Sequence, residues 1–219
     1  DGGKWVTKYT GDKYPFSNRE LFYRNFGFSQ SFQPVKEQTF YIKIQTTSAA
    51  IIPLTLYQEE LLLKKILYTE NWHLIYYGVL LVMIFYNGFI FLSFRSISYL
   101  LYSLSTLSML GYQVMFNGHG FQYLWSNNIW LQQYAGLIAI TLFAFFTFEF
   151  MIRFLDLPKN IRFYLRALLI LQNIIIFTNL YYSLSTAFKL IGIAGLFNVV
   201  IFISIGIISW IKGYRAARF

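Results

Sequence analysis

Apolar residues alternate in the first part of the chain and run almost without interruption in the rest. Phe22, Phe26, Phe28 and Phe32 share one parity; Phe40, Ile42 and Ile44 alternate with Tyr41, Lys43 and Gln45; Ile52, Leu54 and Leu56 repeat the pattern. A period of two predicts strands with one buried face. The stretch 33–37, which holds Pro34, fits a turn between the first two strands, and Pro53 marks the third as an edge or bulged strand. Three strands and an aromatic N-terminal stretch are too few to bury a stable core, so further strands are expected before Asp1 or in a partner sheet.

At Leu74 the pattern changes. Leu74–Phe94 is twenty-one residues without a charge, long enough as a helix to span about 30 Å of hydrocarbon. From Ser96 to Phe148 there is no Asp, Glu, Lys or Arg, and Ala167–Tyr182 and Leu190–Ile211 are equally bare. Five membrane-spanning helices are predicted, at about 74–94, 98–116, 131–152, 164–182 and 189–211. The long uncharged run is cut at Asn117-Gly118-His119-Gly120, after which an aromatic interfacial loop is expected. The predicted organisation is therefore a partial β-sandwich domain over 1–58, a juxtamembrane connector over 59–73 and a helical bundle over 74–219. The connector reads as a short helix lying at the membrane surface, anchored by Trp72.

Composition agrees with this division. Only 12% of the 219 residues are charged, half of the ordinary share. Residues 1–70 hold nine Lys/Arg and seven Asp/Glu, whereas 71–219 hold nine Lys/Arg and only two acids, Glu149 and Asp156. The first third is a water-facing domain and the remainder a polytopic bundle. The net charge of +9 does not indicate nucleic acid, because in the bundle the basic residues sit at span ends. Arg95, Arg153, Lys159, Arg162, Arg166, Lys212, Arg215 and Arg218 fall on one side and Lys64, Lys65 and Lys189 on the other. Positive charge favours the cytoplasm, so the N-terminal domain is expected outside and the C-terminus inside. The polar N-terminus is no signal peptide, and the chain reads as a piece of a longer one. There is no cysteine, hence neither a disulfide nor a thiolate metal site.

No catalytic motif is present: no H-E-x-x-H, no G-x-S-x-G and no Walker loop. His73 and His119 fall at the outer ends of spans and read as interfacial polar residues; a metal site would need a third ligand, and none is evident. No cofactor is expected. Glu149 and Arg153, four residues apart, share a helix face; a structural anchor is the plainer reading and a switch element its rival. Asn87, Gln172, Asn173 and Asn198 lie deeper, where amides need partners; they read as glue between helices, with contacts exchanged between signalling states as the sharper alternative. Ser103, Ser105, Ser108 and Gly111 make the second span small and polar, suited to close packing. Arg19 and Arg24, with Trp5, Tyr9, Tyr14 and Phe16, are candidates for a sugar or carboxylate site by stacking and bidentate hydrogen bonding, against the commoner role of bracing a loop.

Several words in the sequence carry a resemblance. They are Gly11-Asp12-Lys13-Tyr14-Pro15-Phe16-Ser17-Asn18-Arg19, Arg24-Asn25-Phe26, Thr39–Gln45 and Pro53-Leu54-Thr55-Leu56 in the first part. In the second they are Tyr76-Tyr77-Gly78, Met83, Tyr86-Asn87, Ser98–Tyr102, Asn117–Trp125 and Gly213–Phe219. Together they resemble the bacterial seven-transmembrane receptors with diverse intracellular signalling modules, from the end of the extracytoplasmic jelly-roll domain through the first five helices. The resemblance implies a sensor of the bacterial inner membrane whose jelly roll, similar to carbohydrate-binding modules, binds an extracytoplasmic ligand. It marks Asp12, Pro15, Phe16, Arg19 and Arg24 as a ligand-binding or structural motif. The partners implied are membrane lipid, that ligand, a cytoplasmic signalling module in cis and a second copy in a homodimer. The front of the jelly roll, the last two helices and the output module are missing from the pattern, so no enzymatic function is read here.

Two other functions compete with the receptor. A small-solute transporter or channel subunit wants ionisable groups or broken helices at mid-membrane, and no span centre holds a charge or a proline. An enzyme on lipid-linked substrates wants a polar cluster at one interface, where only His119 and neutral residues stand.

Overall fold

The computed structural model describes residues 6–32, 38–45 and 53–212, the side chains at 179, 180, 182 and 184 excepted. Trp5, Ile52, the turn over 33–37 and the closing stretch 213–219 lie outside the described residues. The described chain forms five long helices: α1 (Glu59–Phe94), α2 (Ile97–Phe116), α3 (Ile129–Phe154), α4 (Lys159–Tyr182) and α5 (Leu184–Ile211). A 3-10 turn at Phe16–Asn18 and a single π-helical turn at Gly120–Leu124 complete the regular structure.

The helix ends follow local chemistry. Glu59 and Glu60 occupy the first turn of α1, where the exposed amides favour negative charge. Arg95 ends that helix in the left-handed region (φ 54°), its N–H bonded to the Phe91 carbonyl at 2.7 Å. The Asn128 side chain accepts the Leu131 N–H at 2.9 Å and so caps α3. At the other end of α3 the chain reverses at Asp156 (φ 43°), with the Leu157 N–H returning to the Ile152 carbonyl at 3.1 Å.

Two expectations change. The stretch 59–73 is no separate surface helix; it forms the first turns of α1, which runs unbroken for 36 residues. Nothing between Tyr68 and Gly78 interrupts helical geometry, so the polar and apolar halves share one rod. Among the described residues, moreover, no strand is formed over 22–32, 39–45 or 53–56. Phe22, Phe26, Phe28, Phe32, Phe40, Ile42 and Ile44 stand exposed. Alternation supplies a strand with a face, but the strand itself exists only in a ladder with a neighbour. No ladder forms among the described residues.

The chain folds as two compact units, Asp1–Gln45 with Met109–Ile140, and Thr46–Ser108 with Thr141–Phe219. In the first, the N-terminal residues are packed on the loop between α2 and α3. The second is the bundle proper. Its core is Phe148, Met151, Ile152, Leu155, Leu157, Leu165 and Leu169, against which Ile161, Ile201, Phe202 and Ile205 pack. The rings of Phe148 and Phe202 lie 4.5 Å apart.

Among the described residues, four helical stretches are long and apolar enough to cross a membrane: Glu59–Phe94, Ile129–Phe154, Lys159–Thr178 and Ser185–Ile211. α2 forms where a span is predicted but is not among these four. Its polarity is turned inward: Ser103, Ser105 and Thr106 are buried, whereas α1 buries no residue at all.

Candidate functional site

The first unit brings the N-terminal motif onto the Asn117–Trp125 loop. The joint starts from aromatic residues. Phe16 is held by its 3-10 turn with the ring 3% exposed, edge-on to Phe22 at 5.4 Å and to Phe121 at 5.6 Å. Phe22 meets Tyr123 edge-on at 6.0 Å. Hydrogen bonds close the seam. The Phe16 N–H donates to the Ser126 carbonyl at 2.8 Å, Arg24 Nη1 to the Asn117 carbonyl at 3.1 Å, and Gln122 Nε2 to the Phe22 carbonyl at 3.3 Å.

Arg19 is the centre of this joint. Its guanidinium carbon lies 4.6 Å from the Phe16 ring centre, 4.5 Å from Phe26 and 5.5 Å from Phe121, a three-sided aromatic cage. Nη1 donates to the Tyr23 carbonyl at 3.3 Å and to the Arg24 carbonyl; Nη2 reaches Asp12 Oδ1 at 3.2 Å. Burial lowers the Arg19 pKa and the Asp12 carboxylate raises it again. Arg19 thus shapes the 20–24 turn, and that turn aims Arg24 at the loop. At the rim, Lys8 pairs with Glu20 at 2.7 Å, and that hydrogen bond holds the Glu20 carboxyl below its ordinary range.

The receiving loop is tightly specified. Gly118 has φ +81°, and a Cβ there would stand 3.2 Å from Arg24 Cβ. A Cβ on Gly120 would fall 2.2 Å from the Trp125 ring, so only glycine fits. His119 is buried and stacked on Tyr123, and Gln122 is buried beside it.

In the second unit a polar bridge joins each pair of consecutive helices. Ser103 Oγ donates to the Ile84 carbonyl at 3.0 Å, linking α2 to α1. Ser105 and Thr147 share a hydrogen bond of 2.7 Å between α2 and α3. Glu149 takes Arg166 Nε at 2.5 Å and Nη2 at 2.7 Å, linking α3 to α4. Gln172 Nε2 donates to Asn198 Oδ1 at 3.2 Å, linking α4 to α5.

The candidate residues therefore sort into groups. Asp12, Phe16, Arg19 and Arg24 come together at the joint, with Pro15 capping the 3-10 turn that holds Phe16. Tyr9 and Tyr14 are exposed. Gln172 and Asn198 meet. Asn87 and Asn173 instead bond the carbonyls of Met83 and Leu169 in their own helices. Glu149 and Arg153 approach only to 4.0 Å, and Arg166 is the closer partner. His73 bonds the Thr69 carbonyl of its own helix at 2.7 Å. Ser108 bonds the Leu104 carbonyl, and a Cβ on Gly111 would rest 3.8 Å from Ala139 Cβ, an ordinary packing contact. Sequence reasoning missed Phe121, Gln122 and Arg166; of these, the loop residues lay within a noted word but carried no assigned role.

Residues 69–219 match the family model described as 7TM diverse intracellular signalling, and residues 1–58 match the one described as 7TMR-DISM extracellular 2. No curated protein and no solved structure matches the chain.

Proposed function

The chain belongs to the 7TM diverse intracellular signalling family, and from that premise we propose that it is the sensing and relay part of a bacterial inner-membrane receptor. Membership makes it a multi-pass membrane signalling protein with an extracellular N-terminal domain. The proposal goes further. The N-terminal domain is the end of a jelly roll that takes a carbohydrate-like ligand, five helices cross the membrane with the C-terminus in the cytoplasm, and an output module follows in cis.

The observation that carries this reading is the Arg19–Arg24 joint. It fastens residues 12–26 to the loop connecting α2 and α3, so a change in the N-terminal domain reaches the chain from which both helices lead. Ser105–Thr147, Glu149–Arg166 and Gln172–Asn198 then continue the path from helix to helix. A ligand biases such a system only by the difference in its affinity for two states. The joint offers the required contrast, because directional bonds from Arg19, Arg24 and Gln122 fix its aromatic packing in one arrangement.

The test uses the absence of cysteine. Lys8→Cys and Lys159→Cys each give a chain with a single thiol. An impermeant maleimide added to intact cells is expected to label Lys8→Cys, and to label Lys159→Cys only after permeabilisation. The reverse result would sink the receptor. In nanodiscs, a saccharide that binds is expected to alter hydrogen exchange in both 12–26 and 117–126. If a broad thermal-shift screen finds no ligand while proteoliposomes conduct solute, the transporter reading replaces this one.

A further inference from the structure

The turn between α3 and α4 holds more positive charge than its own carboxylates satisfy. Arg153 lies on the last turn of α3, and Lys159, Arg162 and Arg166 on the first two turns of α4. Against these four cations stand two carboxylates. Glu149 is consumed: Arg166 takes both its oxygens, and Arg153 Nε stays 4.0 Å away with the Arg153 side chain 44% exposed. Asp156, the other, is exposed in the left-handed position of the turn. Among the described residues neither Asp156, Lys159 nor Arg162 takes part in an ion pair.

Arg162 sits one helical turn before Arg166, and its Nε is shielded from solvent with no acceptor in reach. A guanidinium N–H withdrawn from water without an acceptor is costly. α4 moreover opens with Lys159 and has no acid in its first turn, contrary to the preference of a helix N-terminus for negative charge. Each of these deficits is of one kind: an oxyanion is missing.

We infer that the α3–α4 turn is a headgroup site for an anionic phospholipid, with Arg162 and Arg153 on the phosphate and Lys159 at its rim. Guanidinium groups suit this role, since their paired N–H donors match two phosphate oxygens. The source is a lipid and not a soluble anion because of what adjoins the charges. α3 and α4 are both apolar enough to cross a membrane, and Phe154, Phe163, Tyr164 and Ile170 are exposed on them. Those side chains offer an acyl chain a surface beside the headgroup. Asp156, on the same turn, limits the net charge and would discriminate against an occupant of very high negative charge.

The site depends on the bundle alone, so its test is independent of ligand sensing. The chain would be purified in micelles supplemented with phosphatidylglycerol or phosphatidylcholine, and bound lipid counted by native mass spectrometry. Preferential retention of phosphatidylglycerol is expected. Arg153→Gln with Arg162→Gln should lower that retention about tenfold or more, since each basic residue near an anionic surface contributes roughly a fivefold factor. Arg162→Lys should lose less than Arg162→Gln. Lys212→Gln, at another helix end, should leave retention unchanged; an equal loss there would mean diffuse surface attraction and would overturn the site. Equal retention of the two lipids would overturn it as well. So would inorganic phosphate displacing the bound phosphatidylglycerol at millimolar concentration, which would assign the cluster to a soluble anion. Unaltered helicity of each variant, read by circular dichroism, separates lost binding from lost folding; if Arg162→Gln unfolds the bundle, Arg162→Lys and Arg153→Gln alone carry the comparison.

Discussion

In the unit that contains Arg19, a cation organises the structure; in the unit that contains Phe148, apolar packing does, with polar bridges between successive helices. The joint around Arg19 gathers three ring faces and three acceptors onto one guanidinium. The bundle holds its helices with Ser103, the Ser105–Thr147 pair, Glu149–Arg166 and Gln172–Asn198. The difference follows from solvent. Where water competes, a hydrogen bond is worth little unless it is multiple and sheltered. Where lipid surrounds the helices, burying apolar surface gains little over exposing it, and a few directional bonds choose which faces meet.

Several substitutions break or sharpen this contrast. Arg19→Ala should have the largest effect, about 3 kcal/mol, because it strands the Tyr23 and Arg24 carbonyls and empties the cage. Hydrogen exchange should quicken over 12–26 and 117–126 and leave 159–178 unchanged; a uniform loss of protection would mean that the two units are not separately held. Gly120→Val follows, at about 2 kcal/mol, since the new side chain must displace the Trp125 ring. A red shift in tryptophan emission reports it. Glu149→Gln should cost less, about 1–2 kcal/mol, because the Arg166 side chain is 47% exposed and regains water. A double-mutant cycle should couple Glu149 to Arg166 more strongly than to Arg153. Asn198→Leu should cost about 0.6 kcal/mol, the ordinary worth of one polar bridge between membrane helices.

The smallest effect is a pH dependence at the rim. Glu20 has its folded pKa held below the unfolded value by the hydrogen bond from Lys8. Its contribution is therefore present above the unfolded carboxylate range and lost as pH falls through the folded pKa. Thermal unfolding followed from pH 6 to about pH 3 should show Lys8→Gln abolishing that part of the acid sensitivity.

The helices were legible because lipid imposes a coarse rule: uncharged runs of some twenty residues must be helical. The same rule hid the extent of α1, since charge at Glu59–Lys65 suggests where lipid ends and says nothing of where a helix ends. The alternation at Phe40–Ile44 is a pattern of faces, and faces become strands only when another segment supplies the ladder. Arg19 and Arg24 were visible as unusual residues among aromatics, but an arginine that grips a ligand and one that grips a distant loop have the same sequence signature. Arg166 was missed for a simpler reason. Spacing along one helix nominates Arg153, whereas antiparallel helices joined by a short turn bring together residues equidistant from that turn. Glu149 and Arg166 flank the Leu157–Pro158 turn in just that way. That symmetry is readable once the turn is known.

The unbroken run of α1 has a mechanical consequence. Its 36 residues make a rod of about 54 Å, against a hydrocarbon layer of about 30 Å, so some 20 Å must project even when the rod leans by a common angle. Swinging the projecting 20 Å or so through about 10° about the lipid surface carries its tip roughly 3–4 Å sideways. The segment that first looked like a passive tether is long and stiff enough to serve as a lever whose fulcrum is the lipid surface.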